Sequence, residues 1–175
     1  MLEFCEAKRV NVSWIARCWV VICLLVGLLA VGCSQRTSGP VVAPHFELKD
    51  LSGKMVSSDS LKGKPTLLVF WATWCPTCKD ELPTFNTLKE KGIQVVAIAL
   101  NESPDAVRNY VAEHPLNYPV LMTNQQVELD FGGIRFLPTA FLIDSNWQIV
   151  GKLFGKISTE GVIHALQQAE KEKRG

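Results

Sequence analysis

Two cysteines, Cys75 and Cys78, stand three residues apart where an apolar run, Thr66 to Ala72, gives way to a helical pattern that starts at Pro76. A helix completes a turn in about 3.6 residues, so its first turn brings both sulfurs together. The first sulfur then lies at the helix N-terminus, among unpaired N–H groups and the positive end of the dipole. That setting favours thiolate over thiol, and the thiolate is the nucleophile. The chemistry implied is dithiol–disulfide exchange. A zinc ribbon needs four ligands, usually two CxxC pairs, and one such pair is present. The histidines, His45, His114 and His164, are scattered without a ligand spacing.

The elements that must hold this pair can be read coarsely. His45 to Leu48 alternates, Asp50-Leu51-Ser52-Gly53-Lys54 turns, and Met55-Val56 continues, which predicts a small hairpin. Thr66–Ala72 and Ile93–Leu100 are continuous apolar runs suited to strands buried on both faces. Helical patterning spans Pro76 to about Lys91, and Pro83 inside it predicts a kink. Ser103-Pro104-Asp105 opens a helix, with serine as N-cap and proline in the first position. A short strand at 119–122, a short helix at 125–131, a hairpin from 139–143 and 148–154, and a final helix capped by Ser158 complete the pattern. Alternating strands and helices imply an α/β sheet with helices on its faces.

Four segments resemble the thioredoxin fold and, within it, the TlpA/ResA-like extracytoplasmic thiol reductases. They are Phe70-Trp71-Ala72-Thr73-Trp74-Cys75-Pro76-Thr77-Cys78-Lys79, then Glu81-Leu82-Pro83, then Ile134-Arg135 with Pro138-Thr139 and Phe141-Leu142-Ile143-Asp144, and the extra helix and strand around 103–122. The resemblance runs from about His45 to about Ala169. It implies a central mixed sheet flanked by helices, an N-terminal β-hairpin and a TlpA-type central insertion. By it, Cys75 attacks and Cys78 resolves the mixed disulfide, with no cofactor beyond the pair itself. Pro138 corresponds to a cis-proline facing the dithiol, and Leu137 would offer its backbone to an extended client segment. Glu81 corresponds to a proton-relaying acid one helical turn beyond Cys78. Trp74 would shield the site, with Pro76 and Thr77 also facing the client, while Trp71 would be core. Asn101-Glu102-Ser103 resembles a family loop and is assigned no chemistry. Thioredoxins proper carry a buried Asp where this chain has Val69. Two departures concern partner and direction: Pro76-Thr77 stands where many relatives read x-Pro, and Phe136-Leu137 where many read Gly-Thr.

The 175-residue chain carries a formal charge of +1. Without residues 1–32 it keeps fifteen basic and fifteen acidic residues, so no nucleic-acid footprint of clustered basic charge is expected. Residues 18–32 are uncharged and apolar, and Lys8, Arg9 and Arg17 precede them, as in a secretory signal. The exit, Leu29-Ala30-Val31-Gly32-Cys33, resembles a bacterial lipobox, which implies that Cys33 becomes acylated. The alternative is an uncleaved anchor from Trp14 to Gly32. Both place the domain outside a membrane. Residues 33–44 then form a tether, and 45–175 the domain. Fully extended, residues 34–44 reach at most about 36–40 Å.

The leading expectation is a membrane-tethered reductant of disulfides in exported proteins, such as apocytochrome c, itself re-reduced by a membrane electron-donor protein. A thiol oxidase or isomerase of the same fold is the first alternative. A copper-handling thioredoxin-like chaperone is the alternative from another class, disfavoured by the short cysteine spacing and by the lack of a histidine near Pro138. Peroxidase activity is disfavoured because no Pro-x-x-x-Thr/Ser-x-x-Cys segment is present.

Overall fold

The computed structural model describes residues 41–172. The expected signal, Cys33 and most of the expected tether lie outside these residues. An eight-stranded mixed sheet forms the centre, in the order β1-β8-β7-β4-β5-β6-β2-β3. The strands are β1 (Val41–Val42), β2 (Glu47–Asp50), β3 (Met55–Ser57), β4 (Thr66–Trp71), β5 (Gln94–Ala99), β6 (Val120–Met122), β7 (Thr139–Ile143) and β8 (Gln148–Phe154). The helices are α1 (Pro76–Glu81), α2 (Pro104–Glu113), α3 (Gln125–Asp130) and α4 (Thr159–Glu172), with 3-10 turns at Ser58–Leu61 and Leu82–Lys91.

The middle of the sheet follows from the apolar runs. All six residues of β4 are buried; it pairs parallel with β5 and antiparallel with β7. Because strand side chains alternate between faces, β4 feeds two cores. Leu67, Val69 and Trp71 pack on the face that also holds Phe85, Leu88, Val162, Leu166 and both cysteines. Leu68 and Phe70 pack on the other face with Phe46, Phe131, Phe141 and Trp147. A strand buried on both faces cannot slip by one residue without exchanging its two cores, so the register of β4 is firmly set. That fixes where the chain emerges at Trp71, the point from which the dithiol is built.

Two elements differ from expectation. Val41 and Val42, expected as part of the tether, already belong to the sheet, paired with Ile149 and Gln148, and Ala43 just beyond is buried with its N–H donating to the Trp147 carbonyl at 2.9 Å. Val41 and Val42 themselves stay exposed, so strand pairing and not burial of their side chains holds them at the sheet edge. The helix expected over 76–91 is α-helical only to Glu81 and continues as 3-10 turns. Pro83 has no N–H to donate to the Lys79 carbonyl, so the α ladder stops rather than bending through. Gly92, at φ 74°, then closes the segment in the left-handed conformation that glycine adopts without a Cβ penalty.

Candidate active site

The chain leaves β4 through a tight turn closed by the Cys75 N–H donating to the Ala72 carbonyl at 3.1 Å. Cys75 is then the N-cap of α1, in extended backbone, and Pro76 follows in the first turn. Proline suits that place, since its missing N–H would have been unpaired there anyway. The Cys75 sulfur accepts from the Cys78 N–H at 3.2 Å, as an N-cap side chain does. The two cysteines are joined as a disulfide. Cys75 is 5% exposed and Cys78 1%, so the first cysteine is the more accessible. Pro76 and Thr77 are exposed around it. Trp74 is 64% exposed, a surface aromatic next in the chain to Cys75.

Glu81 lies in the last turn of α1 and is 6% exposed. Its Oε1 accepts from the Ile157 N–H at 2.6 Å, while Oε2 is buried with no hydrogen-bond partner among the described residues. Loss of solvent pushes its pKa up from the ordinary 4.5; the Ile157 N–H and the Lys156 charge oppose that shift without cancelling it. One turn from Cys78 there is thus a carboxyl able to hold or release a proton closer to neutrality than a surface acid.

The Leu137–Pro138 peptide is cis, and Pro138 is buried. The pairing of Thr139 with Phe70 brings the start of β7 to the end of β4 from which the dithiol turn departs. Leu137 is half-buried against both cores. Phe136 is 67% exposed and meets Phe154 edge-on, with ring centroids 6.4 Å apart. Lys79 and Arg135 are exposed.

Sequence reasoning missed three residues that hold this arrangement. Tyr110, from α2, donates its hydroxyl to the Lys79 carbonyl at 3.2 Å, the acceptor that Pro83 leaves without its helical partner. Tyr118, ahead of β6, donates to the Leu82 carbonyl at 2.7 Å. Burial pushes both phenols upward in pKa, so both remain protonated donors at neutral pH. Tyr110 also packs on Trp71, with centroids 5.0 Å apart, and stacks on His114 at 4.5 Å. The need for a donor at Lys79 was readable from Pro83; its source, 31 residues away, was not. The third is Glu102, whose carboxylate accepts both the Thr73 N–H, at 2.8 Å, and the Thr73 hydroxyl. Tyr110→Phe keeps the ring contacts and removes the donor. It is expected to cost about 1 kcal/mol, checked by urea unfolding; the value is that of one intramolecular hydrogen bond.

A sheet of this topology with a CxxC disulfide at the start of a helix and a cis-proline at the adjoining strand defines a thioredoxin-like dithiol protein. The profile of the AhpC/TSA family matches residues 41–152, and the chain belongs to that family. Among curated relatives, the thiol-disulfide oxidoreductase ResA of Bacillus thuringiensis (strain Al Hakam) is 38% identical over 122 residues, 67% of this chain and 70% of that protein. ResA of Bacillus subtilis (strain 168) is 37% identical over 126 residues, 70% of each chain. Among solved structures, a thiol:disulfide interchange protein of the thioredoxin family from Chlorobium tepidum TLS superposes with a TM-score of 0.68 at 35% identity, covering 75% of this chain and 97% of that one. The chain is a ResA-like thiol–disulfide oxidoreductase, an enzyme whose chemistry runs through a cysteine pair without an external cofactor. Among the described residues, no group of three His, Cys, Asp or Glu side chains is placed to hold a metal.

Proposed function

We propose that this chain is a membrane-tethered, extracytoplasmic reductant of protein disulfides. Cys75 attacks a client disulfide and forms a mixed disulfide; one client sulfur leaves as a thiolate. Cys78 then attacks Cys75, the Cys75–Cys78 disulfide forms, and the client departs with both sulfurs reduced. Two electrons have passed from the dithiol to the client, and a membrane electron-donor protein restores the dithiol. Exported proteins such as apocytochrome c are the client class. The anchor is an acylated Cys33, and the client segment lies along Leu137-Pro138 between Trp74 and Phe136, with Pro76 and Thr77 at its margin. Two exposed aromatics at this entrance favour clients with apolar side chains near the cysteine.

The observation that carries the direction is the buried carboxyl of Glu81. When it loses its proton it opposes the formation of thiolate nearby, and a thiolate that is poorly stabilised makes the dithiol the better electron donor. It also accepts the Cys78 proton in the resolving step. One observation favours the opposite direction: the Cys75 sulfur is an N-cap acceptor of the Cys78 N–H, which stabilises its thiolate. The reduction potential decides between them. Equilibration with glutathione or dithiothreitol buffers is expected to place the pair well below about −180 mV, the potential of protein disulfide isomerase. A potential above that value assigns the oxidase or isomerase role.

A further inference from the structure

Glu102 belongs to the loop that follows β5, and its sequence context assigns it no chemistry. Its two carboxylate oxygens are nevertheless both engaged by one residue, Thr73, through the backbone N–H and the hydroxyl. Thr73 is an inner residue of the turn closed by the Cys75 N–H on the Ala72 carbonyl, so the carboxylate grips the turn two residues before the dithiol. The Thr73 N–H lies beyond the end of β4 and takes Glu102 in place of a strand partner. The loop carries backbone strain at the residue before: Asn101 has φ 49°, left-handed and without glycine's freedom, although asparagine tolerates it better than most. Ser103, next in the chain, caps α2 by accepting from the Ala106 N–H at 3.2 Å. Three consecutive residues thus turn the chain, hold the dithiol turn, and start the helix that carries Tyr110.

We propose that Glu102 is a positioning residue of the reaction, acting through Thr73 to hold Cys75 at the N-cap of α1. This rests on Cys75 being the attacking cysteine. A thiolate is stabilised by helix N–H groups only while the sulfur stays in line with them, and that effect decays within the first turn. The turn before Cys75 has two inner residues, and one of them is solvent-facing Trp74. Thr73 is therefore the residue by which the rest of the molecule can hold the turn. The carboxylate geometry is matched to a donor pair on a single residue, which resists rotation of the turn as well as its displacement.

The test is the pH profile of iodoacetamide alkylation at Cys75 in the reduced full-length chain, located by peptide mass spectrometry. Glu102→Gln loses the charge and one of the two acceptors. Thr73→Val loses the hydroxyl and leaves the charge. Thr73→Ser keeps the hydroxyl. A positioning role predicts that Glu102→Gln and Thr73→Val each lower Cys75 reactivity at pH 7 by roughly threefold to tenfold, a fraction of a charge-assisted hydrogen bond. The double variant should be no worse than the worse single, and Thr73→Ser should match the unaltered chain. If Glu102→Gln shifts the profile and Thr73→Val does not, Glu102 acts by charge alone and the proposal fails. If neither shifts it, the contact is purely structural and the proposal fails. If Cys78 alkylates ahead of Cys75 in the unaltered chain, it is the assignment of the attacking cysteine that falls, a result separate from the other two.

Discussion

Cys75→Ala is expected to abolish disulfide reduction, whereas Cys78→Ala is expected to arrest it with the client still attached. The asymmetry comes from where the sulfurs sit. Cys75 occupies the N-cap, is the more exposed of the two, and faces the N–H groups of α1. Cys78 lies one turn inside the helix at 1% exposure, against the core. On the proposed mechanism a client disulfide reaches the first and not the second. Loss of Cys75 should therefore reduce catalysed exchange by roughly three orders of magnitude or more, to the background of uncatalysed thiol exchange. With Cys78 replaced, the first displacement still occurs and the second cannot, so Cys75 accumulates as a mixed disulfide. Non-reducing electrophoresis followed by mass spectrometry identifies the trapped partners, which names client and electron donor together. Equal trapping by the two variants would overturn the assignment of roles.

The dithiol, its helix and its supporting strands were legible because each is a local pattern. Cys75 and Cys78 declare their proximity by a three-residue spacing, and β4 declares itself by an unbroken apolar run. The hairpin of β2 and β3 was equally local: Asp50 Oδ1 accepts from the Ser52 and Lys54 N–H groups, the turn chemistry that its sequence suggests. What was not legible depends on partners far along the chain. Tyr110 and Tyr118 reach α1 and the turn after it from 31 and 36 residues away, and Glu102 reaches Thr73 across 29. No periodicity encodes such pairs. The place of Val41 and Val42 at the sheet edge was hidden because a two-residue strand is too short to show alternation.

Glu81→Gln separates the carboxyl's charge from its shape. The glutamine oxygen can still accept from the Ile157 N–H, and the side chain keeps its volume. The amide group then falls where Oε2 lies buried without a hydrogen-bond partner, leaving an unpaired donor and a penalty of about 1–3 kcal/mol that does not vary with pH. The pH-dependent part carries the information. The folded-state pKa of Glu81 is raised above 4.5 because burial disfavours the carboxylate. The folded chain thus holds this proton more tightly than the unfolded chain. The resulting stabilisation is fully present below 4.5 and is lost as pH rises through the folded value. The glutamine variant has no such proton to lose. Its stability relative to the unaltered chain should therefore climb as pH passes upward through that window and then level off. Urea unfolding of the oxidised proteins at several pH values measures this, since neither cysteine titrates in the disulfide form. A difference that stays flat with pH would mean that Glu81 ionises as an ordinary surface acid. If Glu81 serves the reaction as proposed, the same substitution removes the acceptor for the Cys78 proton. The mixed disulfide formed on Cys75 should then resolve about a hundredfold more slowly, the lower end of general acid–base contributions. Initial attack by Cys75 should not slow, because it makes no use of that proton and loss of the carboxylate charge eases formation of its thiolate. A variant that slows both steps equally would place Glu81 in the framework of α1 and not in the proton path.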